Sequence, residues 1–103
     1  MNLLTIDIGN TNITLGVYHD QTLGARWRIA TAAERTADEY GLQLLGLFQH
    51  SRLDPASLSG IALASVVPPL TSPWVEACQQ YLRQVPLVVD AGVKTGVRVR
   101  YDD

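Results

Sequence analysis

The chain has 103 residues, 47% of them hydrophobic, with a formal net charge of −2; that is enough for one domain with a real core and short for a complete two-domain enzyme, so it reads as a single lobe. Its eight basic residues are scattered and form no stripe for a polyanion, which argues against nucleic acid as a partner. No apolar stretch approaches the roughly 18 residues of a membrane span, and the N-terminus lacks the basic and cleavable parts of a secretory signal, so the expectation is a cytoplasmic protein with no membrane partner.

Residues 2 to 8 are apolar almost throughout, which fits a central strand covered on both faces; Asp7 interrupts it near its C-terminal end. After Gly9 to Asn12, the run Ile13 to Tyr18 alternates in polarity, and His19-Asp20-Gln21 turns the chain into Leu23 to Ile29, giving three consecutive antiparallel strands. Thr36-Ala37-Asp38-Glu39 is a capping-box pattern that opens a helix over Ala37 to His50. Tyr40, Leu44, Leu47 and Phe48 form one stripe, widened by Leu45, that packs this helix against the sheet. Asp54-Pro55 and Ser59-Gly60 mark a loop.

The apolar run Ile61 to Val67 then reads as a buried strand entered by a crossover, stopped by Pro68-Pro69. Ser72 followed by Pro73 suits an N-cap with proline at the first helical position, and the pattern of Val75, Cys78 and Leu82 carries a second helix to about Arg83. The single cysteine, Cys78, has no His or second Cys near it and reads as a small core or surface thiol. Pro86 to Val89 is a short strand, and Asp90 to Gly96 a glycine-containing loop. The order β-β-β-α-β-α-β defines an α/β unit of ribonuclease H-like type, the lobe of actin-like ATPases, with a mixed sheet and helices packed on it.

A carboxylate at a strand end beside Gly9 suits a phosphate and metal site. Backbone amides and the Asn10, Thr11 and Asn12 side chains would approach a phosphate while Asp7 faces its magnesium. The same residues also suit a plain hairpin turn, since Gly and Asn supply the positive φ values such turns use. Against that alternative stands Asp7, a charge in a strand otherwise fit for burial and costly there without a cation or several donors. Arg35 is a phosphate candidate that also suits a solvated position beside Glu34 or Asp38, and Lys94, between Gly92 and Gly96, suits either a ligand contact or a solvated loop. Ser65 at the fourth strand's end is placed to line a cleft, without a base to make it a nucleophile. Trp27 and Trp74 read as packing residues, and His19 and His50 as an ordinary turn residue and helix end.

Five segments together resemble type III pantothenate kinase: Asp7-Ile8-Gly9-Asn10-Thr11-Asn12, Trp27-Arg28-Ile29, Arg35 through Tyr40, Ser65-Val66-Val67-Pro68-Pro69-Leu70 and Gly92-Val93-Lys94-Thr95-Gly96. That family belongs to the acetate and sugar kinase, Hsc70 and actin superfamily. The resemblance implies transfer of the ATP γ-phosphate to pantothenate in the first step of coenzyme A biosynthesis. It implies an ATP phosphate-binding segment over Asp7, Ile8, Gly9, Asn10, Thr11, Asn12, Ile13 and Thr14, a pantothenate contact at Tyr101, magnesium at Asp7, a monovalent cation (K+ or NH4+) and a homodimer.

The family's Gly-Ala-Asp-Arg segment, which supplies its catalytic aspartate, comes just after the place where this sequence stops. Asp102 and Asp103 do not match it. The expectation is therefore a single N-terminal ATPase-type lobe spanning residues 1–103, without the catalytic base or the second lobe and with negligible kinase activity alone. The alternative is a non-catalytic module that binds a nucleotide or a partner. A third reading is a domain that must assemble with its other half, which exposed apolar surface on the second helix would favour.

Overall fold

A computed structural model describes residues 1–32 and 34–90. Three antiparallel strands come first: β1 (Asn2–Ile8), β2 (Asn12–His19) and β3 (Thr22–Ala30). Helix α1 (Ala37–His50) crosses to β4 (Leu58–Ser65), and α2 (Pro68–Tyr81) crosses to β5 (Leu87–Asp90). The sheet order is β3-β2-β1-β4-β5, with β4 parallel to both β1 and β5. Parallel neighbours need such crossovers, and two crossovers of one hand stepping in one direction put both helices on the same face. The expected order of elements and the mixed sheet are both present.

Alternation sorts β1 cleanly. Leu4, Ile6 and Ile8 are almost fully buried on the helix side, opposite Val17, Leu15 and Ile13 of β2 and beside Ile61 and Leu63 of β4. Each such side chain removed from water contributes about 1.5–3 kcal/mol, which makes this layer the main stabilising element. From α1 and α2, Tyr40, Leu44, Phe48, Leu70, Trp74 and Cys78 complete the core. Trp27 reaches in from β3, its ring 5.6 Å from that of Phe48 and its Nε1 donating to Ser51 Oγ at 3.2 Å. Trp74 stacks on Tyr40 at 4.6 Å, and its Nε1 finds no acceptor among the described residues. An unmet donor costs about 1–3 kcal/mol, less than the roughly 4–6 kcal/mol from burying a ring of that size. Both tryptophans are packing residues, as their sequence surroundings indicate.

The other face of β1 carries Leu3, Thr5 and Asp7, and here the structure departs from the strand expected to be covered on both sides. No described element lies over it. This face forms an open groove of about 1080 Å³ whose walls include Leu3, Tyr18, Leu23, Leu87 and Val89. Asp7 is accordingly exposed, so desolvation does not single it out.

Local signals explain most boundaries. The α1 capping box is present: Glu39 N donates to Thr36 Oγ1 at 3.2 Å and Thr36 N to Glu39 Oε1 at 2.9 Å. That hydrogen bond from Thr36 holds the Glu39 carboxyl below its ordinary range. The fourth strand starts earlier than Ile61 and ends before Val66, because Asp54 caps a single 3-10 turn over Pro55–Ser57 that delivers the chain directly into Leu58. Ser59 and Gly60 thus belong to the strand rather than to a loop. The second helix begins at Pro68, not Pro73. Pro68 and Pro69 occupy its first two positions, where no backbone donor is required, and Ser72-Pro73 lies inside it. It ends at Tyr81, with Leu82 capping and Arg83 left-handed at φ 61°, rather than running on to Arg83. Apart from Pro68 and Pro69 at its start, its exposed residues Ser72, Glu76, Gln79 and Gln80 are polar, so the larger apolar surface lies on the sheet and not on this helix. Asp90 is the last residue of β5, and the remainder of the glycine-containing loop lies outside the described residues.

Candidate phosphate-binding site

β1 delivers Asp7 and Ile8 to the C-terminal edge of the sheet, where the chain reverses through Gly9, Asn10 and Thr11 into β2. Gly9 N donates to Asn12 O at 3.0 Å, which closes the reversal. No described glycine has a positive φ, and neither do Asn10, Thr11 and Asn12. β1 and β2 do join in a tight hairpin, but without the left-handed residues that Gly and Asn would supply. Gly9 is needed for a close approach instead, since a Cβ there would lie 3.1 Å from Asn12 O.

What shapes the reversal comes from β3. Thr31, one residue past that strand, donates its amide to Thr11 O at 2.8 Å and its hydroxyl to Gly9 O at 2.8 Å. On the other flank Val66 N donates to Ile8 O at 3.0 Å, tying the ends of β1 and β4 together. Among the described residues nothing accepts from the amides of Asn10 and Thr11. The carbonyls of Gly9, Thr11 and Asn12 are thus bonded within the protein while the amides of Asn10 and Thr11 have no described acceptor, a polarity that suits an anion.

The candidate residues divide by face. Asp7 and Thr14 are register partners on the open face and both line the groove, while Asn10, Thr11 and Asn12 are exposed at its end. Ile8 and Ile13 point the other way, 0% and 2% exposed, so only their backbone can serve a ligand. Arg28 pairs in register with Thr14, which extends the row Asp7, Thr14, Arg28 across three strands on one face. Sequence reasoning quoted Arg28 only as part of a motif, and it missed Thr31. Counting β3 in steps of two from Trp27, which faces the core, would have put Arg28 on the face of Asp7. Nothing in the sequence marks Thr31.

The oxygens of Asp7, Asn10, Thr11, Asn12 and Thr14 suit a hard cation such as magnesium, which takes one or two carboxylates and completes its shell with phosphates and water. Among the described residues no three His, Cys, Asp or Glu gather to form a dedicated metal cage.

Other candidates are accounted for locally. Ser65 Oγ donates to Val67 O and accepts from Val67 N, both at 3.1 Å, so it braces the entry to α2. The Arg35 guanidinium lies 3.9 Å from Glu39, and its amide donates to Tyr40 Oη at 3.2 Å. His19 Nδ1 lies 2.6 Å from Asn2 Oδ1. The N-terminal ammonium donates to Asp20 at 3.0 Å and holds that carboxyl below its ordinary range. Lys94, Tyr101, Asp102 and Asp103 lie outside the described residues.

Solved structures share this arrangement at low sequence identity. A ROK hexokinase from Thermus thermophilus matches with a TM-score of 0.65 and 15% identity over 87% of this chain and 34% of that one. An inorganic polyphosphate/ATP-glucomannokinase from Arthrobacter matches at 0.58 and 19% identity, over 93% and 51%. YeaZ from Pseudomonas aeruginosa matches at 0.57 and 14% identity, over 86% and 43%. By fold the chain is ribonuclease H-like, a mixed sheet with helices packed on it.

Sequence comparison is more specific. Residues 3–103 match the family described as type III pantothenate kinase. Proteins of that name from Halalkalibacterium halodurans and Exiguobacterium sibiricum are 42% and 46% identical over 101 residues, 98% of this chain and 40% of each relative. The chain belongs to the type III pantothenate kinase family, and it spans two fifths of the length of these relatives. No described helix is long and apolar enough to cross a membrane.

Proposed function

We propose that this chain is the nucleotide-phosphate lobe of an ATP-dependent pantothenate kinase, with the Asp7 to Thr14 segment as the phosphate site. The observation that carries the reading is the Gly9 to Asn12 reversal, whose carbonyls are tied inward while the Asn10 and Thr11 amides stay open beside Asp7 and Thr14. Phosphoryl transfer asks a protein mainly for positioning and for charge stabilisation. In this reading the open amides hold phosphate oxygens, Asp7 holds magnesium directly or through water, and Thr14 and Arg28 extend the polar row. The bound metal would neutralise charge on the phosphates.

Tyr101 would contact pantothenate and orient its hydroxyl for in-line attack, and an aspartate beyond Asp103 would accept the proton. The product would enter coenzyme A synthesis. The monovalent cation, potassium or ammonium, the homodimeric parent and the cytoplasmic location come with the family and belong to the same proposal. Without the base and the second lobe, the 103-residue chain would bind MgATP and turn over negligibly, since lost positioning removes many orders of magnitude of rate.

The test is Asp7→Asn in the longer protein that carries this lobe. Phosphoryl transfer should fall by about 10²-fold or more, as for loss of one electrostatic group, with an unchanged melting temperature; unchanged turnover removes the role. Calorimetric titration of the 103-residue chain with MgATP gives the second arm. Binding without turnover fits the lobe and also fits a non-catalytic module, which an active longer protein rules out.

A further inference from the structure

We infer that Thr31 is a positioning residue for the phosphate-binding turn: its hydroxyl and amide hold the carbonyls of Gly9 and Thr11 away from the anion, so that the Asn10 and Thr11 amides face it. The inference rests on the reading of Gly9 to Asn12 as the phosphate site.

A three-residue reversal between antiparallel strands is ordinarily encoded on the spot, by a turn that closes on a left-handed residue. This one has none. Its geometry must therefore be imposed from outside, and the described contacts identify the source. Gly9 O accepts from Thr31 Oγ1 at 2.8 Å, Thr11 O from Thr31 N at 2.8 Å, and Asn12 O from Gly9 N at 3.0 Å. Three carbonyls of the reversal are thus committed inside the protein. Each lone pair turned toward a phosphate would repel it, whereas an open amide donates a charge-assisted hydrogen bond. One residue therefore supplies two of the three bonds that set the polarity of the turn.

Thr31 is itself well anchored. It follows Ala30, which pairs with Asn12, so the register of β3 on β2 fixes where its hydroxyl lies. Its side chain is half-buried, which favours a bond that water does not readily replace. Serine keeps the hydroxyl; valine keeps the shape and loses it.

The experiment uses the longer protein that carries this lobe, with Thr31→Val, Thr31→Ser and Asp7→Asn compared by steady-state kinetics and thermal melting. Thr31→Val should raise KM for MgATP by ~3- to 10-fold, the loss expected for one hydrogen bond, and leave KM for pantothenate unchanged. Thr31→Ser should return the MgATP value close to that of the parent. A merely structural threonine would weaken both substrates together, in step with the melting temperature, and that outcome overturns the inference, as does an unchanged KM for MgATP in Thr31→Val. Should Thr31→Val fail to fold, hydrogen exchange of the unmutated protein decides. The Thr31 amide should be protected without nucleotide, and the Asn10 and Thr11 amides only with MgATP. A freely exchanging Thr31 amide overturns the clamp. Asp7→Asn separates the two failures: if it is also silent, the turn is not the phosphate site, and if it alone disables the enzyme, the site stands and the clamp falls.

Discussion

Asp7 and Cys78 lie on opposite sides of the sheet, and solvent decides what each can do. Asp7 takes the odd position of a strand whose even positions make the core, so its side chain is exposed beside the Gly9 to Thr11 turn. Cys78 is 0% exposed on α2, and burial pushes its thiol up to about 12 from an ordinary 9.0. Because the thiolate is the nucleophile, the native protein should resist a thiol-reactive disulfide reagent at pH 8 and label fully in urea. Rapid labelling of the native protein would place Cys78 at the surface. The sign of its linkage also follows. The native state keeps the proton up to about 12 and the unfolded chain releases it near 9.0, so the thiol leaves stability untouched below 9.0 and lowers it as pH rises above that.

Elements were legible in the sequence wherever one local signal fixed their ends. The capping box started α1 at Ala37, and alternation marked β2, whereas the nearly continuous apolar run of β1 read as covered on both faces when its odd positions face an open groove. Signals that allow two solutions misled: Pro68-Pro69 ends a strand and also begins a helix, and Ser72-Pro73 was a second good start that the chain had already passed. The end of α1 was read correctly at His50, a basic residue in the last turn, although no glycine follows it. Arg52 sits left-handed at φ 58° where glycine is the common choice, with Leu53 N donating to Phe48 O at 2.9 Å. At the candidate site Asp7 to Thr14 were readable as a run, but the Thr31 clamp depends on strand register and was not.

The contact between α1 and α2 was hidden as well, and it separates two glycines of α1. A Cβ on Gly41 would run into the ring of Tyr81, whose hydroxyl donates to Asp38 at 2.6 Å, whereas one on Gly46 meets nothing within 4 Å. Both Gly41→Ala and Gly46→Ala gain about 1 kcal/mol of helix propensity. Gly41→Ala also incurs an overpacking cost of about 1–3 kcal/mol and drags Tyr81 off Asp38. Gly46→Ala should therefore raise the melting temperature by roughly 4–8 °C, and Gly41→Ala should leave it unchanged or lower it. Equal rises for both variants in a thermal melt would mean that α2 does not lie against Gly41.

As a whole, the described residues form a one-sided sheet. Both helices cover one face of a five-stranded sheet, and sheets built through parallel crossovers ordinarily have both faces covered. The open face carries Leu3, Tyr18, Leu23, Leu87 and Val89, with Leu87 69% exposed on the outer strand of the sheet. Apolar surface lining a groove of this kind suits contact with a further stretch of polypeptide or with a ligand. The relatives are far longer than this chain, which fits such a cover under the lobe proposal. Expressed by itself, the 103-residue chain should bind a hydrophobic dye such as anilinonaphthalene sulfonate and associate as its concentration rises; the longer protein should not bind the dye at this face. Leu23→Lys and Leu87→Lys together should suppress the association with little change in melting temperature at low concentration, because neither side chain belongs to the core. Sedimentation that stays monomeric at all concentrations, with no dye bound, would mean that this face is already covered within the chain.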